Sequence, residues 1–263
     1  MMLVQGLRVY PIKGCRGVNV TQLQIGPSGP ALDRQWMLVE PNGRRVSQRR
    51  FPQLTQVHVR IEDPRRIVIH RAGSRGKVRI HTSARGPSCE ARMPGASVDA
   101  EDLGDDVANW FSDIVGRPVR LVRKGKRARY SPGGEVHGGL TELRFADAYP
   151  LLITALESLA WLNTFLVMPA FMDQFRPNII LTGGMPFDED RLKQFQIGGV
   201  RLAGGSLCQR CGVVNVDQLT GQKNPKVLEL LCQVRMIGGK PRFGLNVDHL
   251  STGTIAVGQE LQT

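Results

Sequence analysis

Phe175-Arg176-Pro177-Asn178 is followed about thirty residues later by Cys208-Gln209-Arg210-Cys211, and we expect the rest of the chain to position these two motifs. The thiolate is the nucleophilic and metal-binding form of cysteine, and nearby cations favour it at neutral pH. Arg176 and Arg210 carry permanent charges, so motifs that converge on Cys211 would surround it with cations. This combination suits a soft metal held beside a phosphate. The spacing of the two motifs does not by itself establish such a site.

On the N-terminal side of these motifs, short segments alternate apolar and polar residues and are separated by turn residues. Alternation of this kind is typical of strands. It predicts strands at Leu3 to Tyr10, Val18 to Ile25, Arg34 to Glu40, Val46 to Gln48, Val57 to Ile61, Arg66 to His70 and Lys77 to Ile80, with a tight turn at Asn42-Gly43. This region is therefore predicted to be mostly antiparallel β, closed or sandwiched so that its edges are protected.

Two segments have the apolar spacing of helices. Asp102 to Val115 is ended by Gly116 and Pro118, and Ala155 to Leu166 begins with a predicted capping box of Thr154 and Glu157. Further strands are predicted at Asn178 to Thr182, Phe195 to Ile197, Val200 to Ala203, Val213 to Val216 and Thr254 to Val257. The fold class is therefore mainly β with a few helices (α+β), without a βαβ repeat. A boundary near Arg117 divides the chain into predicted domains 1–117 and 118–263.

The formal net charge of +12 indicates an anionic partner, whether nucleic acid, an acidic protein or a phosphorylated small molecule. Much of the excess lies in two runs, Gly43 to Arg50 and Arg120 to Arg129, and runs of this kind are usually solvated loops or strand edges. Nucleic-acid binding gains little support, because only 6% of residues are aromatic and no nucleic-acid recognition motif accompanies the charge. The basic, glycine-rich segment Lys124 to Gly139 is predicted to be a mobile loop.

The five cysteines are an odd number in a chain large enough not to need disulfides, which favours reduced thiols. No stretch approaches the roughly 18 consecutive apolar residues of a membrane helix. Met1 to Tyr10 alternates like a strand and lacks the pattern of a signal peptide. We therefore expect a cytoplasmic protein that does not associate with a membrane.

The Cys208 and Cys211 pair alone is open to several interpretations: half of a structural zinc site, a redox dithiol, or two cysteines in a packed turn. Zinc would need further ligands such as Cys232 and His249, and no second paired motif supplies them. A thioredoxin-like dithiol would open a helix, whereas the residues after Cys211 are predicted as strand. Arg176 also has a simple alternative role, an ion pair with a carboxylate such as Asp173.

Five segments that occur in order along nearly the whole chain favour a functional site over these alternative interpretations. They are Tyr10-Pro11-Ile12-Lys13-Gly14-Cys15-Arg16-Gly17, Asp33-Arg34-Gln35-Trp36, Phe175-Arg176-Pro177-Asn178, Cys208-Gln209-Arg210-Cys211 and Val216-Asp217-Gln218-Leu219-Thr220-Gly221. Together they resemble MOSC-domain proteins, and more narrowly the amidoxime-reducing branch. The resemblance implies a MOSC N-terminal β-barrel domain followed by a MOSC β-barrel domain.

The resemblance also implies roles for individual residues. Cys211 matches the cysteine that binds molybdenum through its thiolate, whereas Cys208 does not match a ligand. The positions that match cofactor-binding residues are Lys13, Gly14, Arg34, Arg176, Asn178, Gln209 and Arg210. Gly14 stands where relatives carry serine, and Ala148-Tyr149 stands where they carry a small hydroxyl pair, so contacts there would use backbone groups. Asp217 matches an aspartate in a turn of the family and is assigned a supporting catalytic role; the alternative is a turn-forming residue.

This resemblance implies an oxidoreductase that uses a molybdenum–molybdopterin cofactor to reduce small N-hydroxylated substrates to N–H compounds. Amidoximes, hydroxylamines and N-hydroxylated bases are the expected substrates. We expect a separate acidic electron-transfer protein of the flavoprotein, ferredoxin or cytochrome b5 type, which the Lys124 to Arg129 loop would steer. Two other interpretations remain: a cofactor carrier or sulfur-relay protein without reductase turnover, and a zinc-stabilised basic binding protein.

Overall fold

The computed structural model of the chain describes residues 1–74, 76–93, 95–127, 129–132 and 141–263. This part of the chain is mainly β with four α-helices, which confirms the predicted fold class. The strands are β1 Leu3–Val9, β2 Ile12–Lys13, β3 Val18–Val20, β4 Gln22–Gly26, β5 Gly29–Pro30, β6 Trp36–Val39, β7 Val57–Asp63, β8 Arg66–Arg71, β9 Lys77–His81, β10 Ser88–Met93, β11 Ala96–Asp102, β12 Arg120–Lys124, β13 Leu151–Ala155, β14 Ile179–Thr182, β15 Gln194–Ile197, β16 Val200–Gln209, β17 Met236–Ile237, β18 Lys240–His249, β19 Gly253–Ala256 and β20 Leu261–Gln262. The α-helices are α1 Asp105–Val115, α2 Leu156–Asn163, α3 Met172–Phe175 and α4 Lys226–Val234.

The largest sheet has the strand order β20-β15-β16-β18-β13-β14-β1-β3, with β17 paired to β18. Leu3 of β1 forms a bridge with Glu260, and the Val4 amide donates to the Gln259 carbonyl at 2.9 Å. These bonds join β1 to the segment that leads into β20 and so close the sheet on itself. The enclosed core consists of aliphatic side chains such as Ile153 and Leu202, both fully buried. Closure gives the segment that leads into β20 a neighbour where the sheet would otherwise have an open edge.

A second sheet has the order β10-β11-β12-β6-β2 and carries the buried Trp36 on β6. Helix α1 packs beside it and ends at Gly116, whose φ of 75° is the left-handed conformation that glycine adopts most easily. Strands cross the predicted boundary near Arg117 in both directions. Strand β12 follows that boundary yet pairs with β11 and β6, whereas β1 precedes it and pairs with β14. The division into 1–117 and 118–263 stays a prediction.

Several local predictions were wrong. Val213 to Val216, predicted as strand, is largely a 3-10 helix at Gly212–Asn215, because an apolar run of four residues does not distinguish the two states. The capping box at α2 does not form: Ala155 is the N-cap, and Glu157 instead accepts hydrogen bonds from Thr182 and Gly183. Strands β13 and β14 are parallel with α2 between them in sequence, so one βαβ connection exists that the pattern did not predict.

A pair of buried amides joins the two halves of the chain. Gln48 and Gln218 are 1% and 4% exposed, and each donates its Nε2 to the other's Oε1, at 3.0 and 3.1 Å. Each single change to leucine leaves one buried amide without its partner, which should lower the free energy of unfolding by about 1–3 kcal/mol. The double change Gln48→Leu/Gln218→Leu should recover most of that loss. Urea denaturation of the three variants measures the coupling, and strictly additive losses would contradict it.

No helix among the described residues is both long and apolar enough to span a bilayer.

Candidate functional site

Four of the five motifs singled out in the sequence meet at one cavity of about 580 Å³. Its lining comes from both halves of the chain and includes Lys13, Gly14, Arg34, Arg176, Asn178, Gln209, Arg210 and Cys211. Among the described lining residues, seven side chains are cationic and one, Asp147, is a carboxylate. Such an excess of positive charge around a concave site favours an anionic ligand.

Cys211 lies where the long strand β16 gives way to the 3-10 helix Gly212–Asn215, for which it is the N-cap. Its side chain is exposed and lines the cavity. Cys208 also lines the cavity, and its Sγ accepts a hydrogen bond from Arg210 Nη1 at 2.8 Å. Of the two cysteines, Cys211 is the more exposed, whereas Cys208 is half-buried and hydrogen-bonded to the arginine between them.

Arg210 is buried, at 8% exposed, and has no carboxylate partner among the described residues. Its Nη2 donates to the Phe175 carbonyl and its Nη1 to the Cys208 sulfur, while Nε has no hydrogen-bond partner there. A buried charge without a counter-ion is costly unless a ligand completes it. The unsatisfied guanidinium therefore points to an anion that this cavity receives.

Arg176 is the second such cation. Its backbone is left-handed, with φ 58°, at the end of α3. Its Nη1 donates to the Cys15 carbonyl at 2.8 Å, and its guanidinium lies 4.3 Å from the centroid of the Tyr10 ring. Burial lowers the pKa of Arg176 from its ordinary value, and no described carboxylate forms an ion pair with it. The ion pair with Asp173 considered from the sequence is absent, since Asp173 pairs with Arg8.

Arg34 is held by a buried network. Its Nη1 donates to Asp33 Oδ2 at 2.5 Å and to Asn178 Oδ1 at 2.9 Å. Asn178 Nδ2 in turn donates to Asp33 Oδ1 and the Arg8 carbonyl, both at 3.1 Å, and its Oδ1 also accepts from the Leu152 amide. The side chain of Asn178 is thus fully used inside the protein. It orients Arg34, and its predicted direct contact with a cofactor stays a prediction.

Lys13 reaches into the cavity with its Nζ 2.7 Å from the Phe145 carbonyl and 2.9 Å from Asp147 Oδ1. Burial lowers the pKa of Lys13 to about 8, although the Asp147 charge partly opposes that shift. Desolvation opposes ionisation of Asp147 in turn, but Lys13 and Arg45 outweigh it and hold the pKa of that carboxyl well below its usual range. Lys13 therefore carries a charge that is easily removed just above neutral pH.

This lowered pKa predicts a pH dependence of anion binding to the cofactor-free protein. Above pH 8, binding of an anion at Lys13 requires uptake of a proton from solvent. Sulfate, which does not titrate in this range, should therefore bind about tenfold more weakly at pH 9 than at pH 7. In Lys13→Arg the charge persists and the affinity should stay nearly constant. Calorimetric titration at each pH measures both. An equal decline in the two proteins would assign the effect to another group.

The free energy of unfolding should change with pH in the opposite direction to the affinity for anions. Between the folded pKa of about 8 and the ordinary value of 10.5, the unfolded chain binds more protons at Lys13 than the folded protein does. The contribution of Lys13 to stability therefore increases as pH rises through that window.

The remaining predicted residues fall into different positions. Gly14 lines the cavity with φ 88°, a conformation that a serine side chain would strain, and Gln209 lines it from an exposed position on β16. Tyr149 also lines the cavity, and its ring occupies the space that a Cβ on Gly205 would need. Asp217 is not among the described lining residues. Its Oδ1 accepts from the Leu219 and Thr220 amides at 2.7 and 2.8 Å, so the geometry supports the turn-forming role.

The basic segment Lys124 to Gly139 lies partly outside the described residues, at 128 and 133–139. Where it is described, two of its charges point inward. Lys124 donates to the carbonyls of Gly125 and Arg127, and Arg129 donates to those of Arg144, Ala146 and Asp147. Lys126 and Arg127 remain exposed. The surface expected to steer an acidic donor is therefore smaller than the sequence suggested.

The zinc interpretation finds no site in the described part of the chain, which contains no group of three or more His, Cys, Asp or Glu side chains able to hold a metal. Cys15 is not an alternative reactive thiol, since burial raises its pKa to about 12. Four charged residues of the lining were not predicted from the sequence: Arg45, Arg49, Asp147 and Arg242. Two of them belong to the run Gly43 to Arg50, whose charge we interpreted as solvated.

Comparison with protein families agrees with this geometry. The MOSC N-terminal beta barrel domain matches residues 1–118, and the MOSC domain matches residues 136–262. The chain is 30% identical to mitochondrial amidoxime reducing component 2 of Bos taurus, over 97% of this chain and 81% of that protein. It is 29% identical to molybdenum cofactor sulfurase of Drosophila grimshawi, over 93% of this chain but 32% of the relative. The chain thus spans about a third of the length of the sulfurases it matches.

Among solved structures, the YUAD protein of Bacillus subtilis aligns with 99% of this chain and 94% of its own, at a TM-score of 0.45 and 12% identity.

Proposed function

This chain belongs to the family of proteins that join a MOSC N-terminal beta barrel domain to a MOSC domain, and from that premise we propose that it binds a molybdenum–molybdopterin cofactor and reduces N-hydroxylated compounds. The observation that carries the proposal is the cavity in which an accessible thiol lies beside two cations without carboxylate partners among the described residues. Cys211 supplies the thiol, and Arg176 and Arg210 supply the cations.

The residues present suit such a cofactor by their chemistry. The molybdenum is a soft metal for which a thiolate is a fitting ligand, and Cys211 would provide it. The anionic phosphate and ring system require cationic hydrogen-bond donors, which Lys13, Arg176 and Arg210 would provide. When bound, the cofactor supplies the two-electron exchange that cleavage of an N–O bond requires. The protein would hold it with these residues and orient it through the Arg34 network.

The reaction balances as R–NHOH + 2 H⁺ + 2 e⁻ → R–NH₂ + H₂O. The electrons come from a separate redox protein in this proposal, of the acidic flavoprotein, ferredoxin or cytochrome b5 type. The exposed Lys126 and Arg127 are the part of the basic segment that remains available to such a donor. The likeness to mitochondrial amidoxime reducing component 2 over most of both chains supports the reductase proposal over its alternatives.

A second candidate is a cofactor carrier or sulfur-relay protein that binds the same group without turnover. The match to molybdenum cofactor sulfurases over almost the whole of this chain favours it, because those relatives carry the corresponding region as only about a third of their length. Both candidates predict the same cavity chemistry. Turnover alone separates them.

The experiment has two parts. Molybdenum and pterin are quantified in the purified protein, where near-stoichiometric amounts of both are expected. Benzamidoxime is then supplied with reduced methyl viologen as electron source, and formation of benzamidine is followed. Cofactor with turnover supports the reductase, cofactor without turnover supports the carrier, and a protein that retains neither metal nor pterin when expressed in a host that makes them contradicts both.

A further inference from the structure

Arg49 is a cation of the cavity that the proposed cofactor contacts do not use. It lines the cavity, yet it is exposed. Its Cδ and Cγ lie 3.5 and 3.7 Å from the position that a Cβ on Gly212 would occupy. Gly212 directly follows Cys211, so the Arg49 side chain packs against the residue that follows the exposed cysteine. This contact brings a charge from the first half of the chain to the mouth of the site.

The charge of Arg49 is not neutralised by a carboxylate of the described residues. Two other arginines of the same run are paired, since Arg45 forms an ion pair with Asp147 and Arg50 forms one with Glu40. Within the described residues, Arg49 forms no ion pair and its guanidinium makes no hydrogen bond. The planar guanidinium of an exposed arginine can donate two parallel hydrogen bonds to a carboxylate or phosphate group.

The deeper cations differ from Arg49 in this respect. Arg210 and Arg176 are held by backbone carbonyls and aromatic rings around the interior, and Arg34 is held by Asp33. These three arginines are therefore positioned to contact a ligand bound inside the cavity. Arg49 is exposed and packs against Gly212. It would therefore face the part of a substrate that remains in solvent when the reacting end approaches a metal held by Cys211.

We propose that Arg49 is a specificity-determining residue that selects N-hydroxylated substrates carrying an anionic group, a carboxylate or a phosphate, remote from the N–OH end. This inference rests on the proposed reductase function and names its substrate class. The reaction is unchanged: R–NHOH takes two protons and two electrons from the donor and gives R–NH₂ and water. Arg49 takes no part in those steps and contributes only to the affinity for the anionic end.

The test compares two substrates that differ in one carboxylate, benzamidoxime and 4-carboxybenzamidoxime. The holoenzyme is reduced by methyl viologen, so docking of a protein donor does not enter. In Arg49→Gln the KM for 4-carboxybenzamidoxime should rise roughly five- to twentyfold, as expected for loss of a charge-assisted contact at a half-open site. The kcat should change less than about twofold, and both constants for benzamidoxime should stay constant, because the neutral substrate has nothing for Arg49 to hold.

Arg44→Gln is the matched control, because Arg44 is an exposed arginine of the same run that does not line the cavity. It should leave the kinetics of both substrates unchanged. A second readout is independent of turnover: calorimetric titration of each amidoxime into the oxidised holoenzyme without electron donor. The preference of the native protein for the carboxylated compound should disappear in Arg49→Gln and persist in Arg44→Gln.

Three results would overturn the inference. They are equal losses for both substrates in Arg49→Gln, which would assign the residue to cofactor retention or packing; no loss for either; and equal effects of Arg44→Gln, which would indicate general surface charge. Failure of the proposed function is distinguishable, because it would appear as absent turnover of both substrates in the native protein. The titration still tests Arg49 in that case.

Discussion

Cys211→Ser is expected to lose its molybdenum almost completely, whereas Cys208→Ser is expected to retain it. A serine hydroxyl stays protonated at neutral pH and is a hard donor, so it replaces a soft thiolate poorly. The sulfur of Cys211 is exposed to the cavity, while that of Cys208 accepts a hydrogen bond from Arg210. Metal content and benzamidoxime reduction should each fall by at least about tenfold in Cys211→Ser, in line with the loss of a soft ligand.

Cys232→Ser provides the matched control for this prediction, since Cys232 is an exposed cysteine on α4 and does not line the cavity. All three variants are measured by elemental analysis after gel filtration and by the same reduction assay. If Cys211→Ser keeps its metal while Cys208→Ser loses it, the assignment of the two cysteines is reversed. If all variants keep it, the metal is not bound through this motif.

Asn178→Ala is expected to destabilise the fold more than any other single change discussed above. Asn178 is 1% exposed, and its amide satisfies four groups: Arg34, Asp33, the Leu152 amide and the Arg8 carbonyl. Alanine removes one hydrogen bond from each of these buried groups, two of which are charged, although Arg34 and Asp33 still pair with each other. The free energy of unfolding should therefore fall by about 3–5 kcal/mol. Chemical denaturation measures this difference.

Asn246→Ala is the control for that measurement. Asn246 also lines the cavity, but its Nδ2 makes a single exposed hydrogen bond to Ser206 at 3.3 Å, so its loss should cost less than about 1 kcal/mol. Asn178→Asp keeps both acceptor functions and loses both donor functions, while it places a second carboxylate beside Asp33. It should therefore be destabilised as well. An Asn178→Ala protein as stable as Asn246→Ala would show that the network around Arg34 is not needed for folding.

The sequence was a good guide to which residues gather at the site. Each predicted residue in the following set lies in a motif that carries the family resemblance, and all of them line one cavity: Lys13, Arg34, Arg176, Arg210 and Cys211. What those residues do there was harder to predict. The engagement of Asn178 with Asp33 and Arg34 depends on segments far apart in the chain, and no local pattern reports which atoms of an amide remain free.

Local patterns failed where tertiary contacts decide the outcome. Glu157 could cap its own helix, yet it accepts from Thr182 and Gly183 because β14 comes to lie beside it. The run Gly43 to Arg50 has the composition of a solvated loop, yet Arg45 and Arg49 face the cavity because the turn at Asn42-Gly43 returns the chain toward the site. Charge alone did not distinguish the arginines that line the cavity from Arg44, which does not.

The exchange of strands between the two regions has a consequence for how the polypeptide is made. Strand β1 leaves the ribosome early, but its neighbour β14 appears much later, since Leu7 pairs with Ile179. Until then, the edge of β1 that pairs with β14 has no partner strand. The apolar side chains Val4, Leu7 and Val9 also lack the core against which they pack. Long-range pairing of this kind slows folding. Nascent chains of this protein should therefore depend on chaperones that shield extended apolar segments until β14 is synthesised.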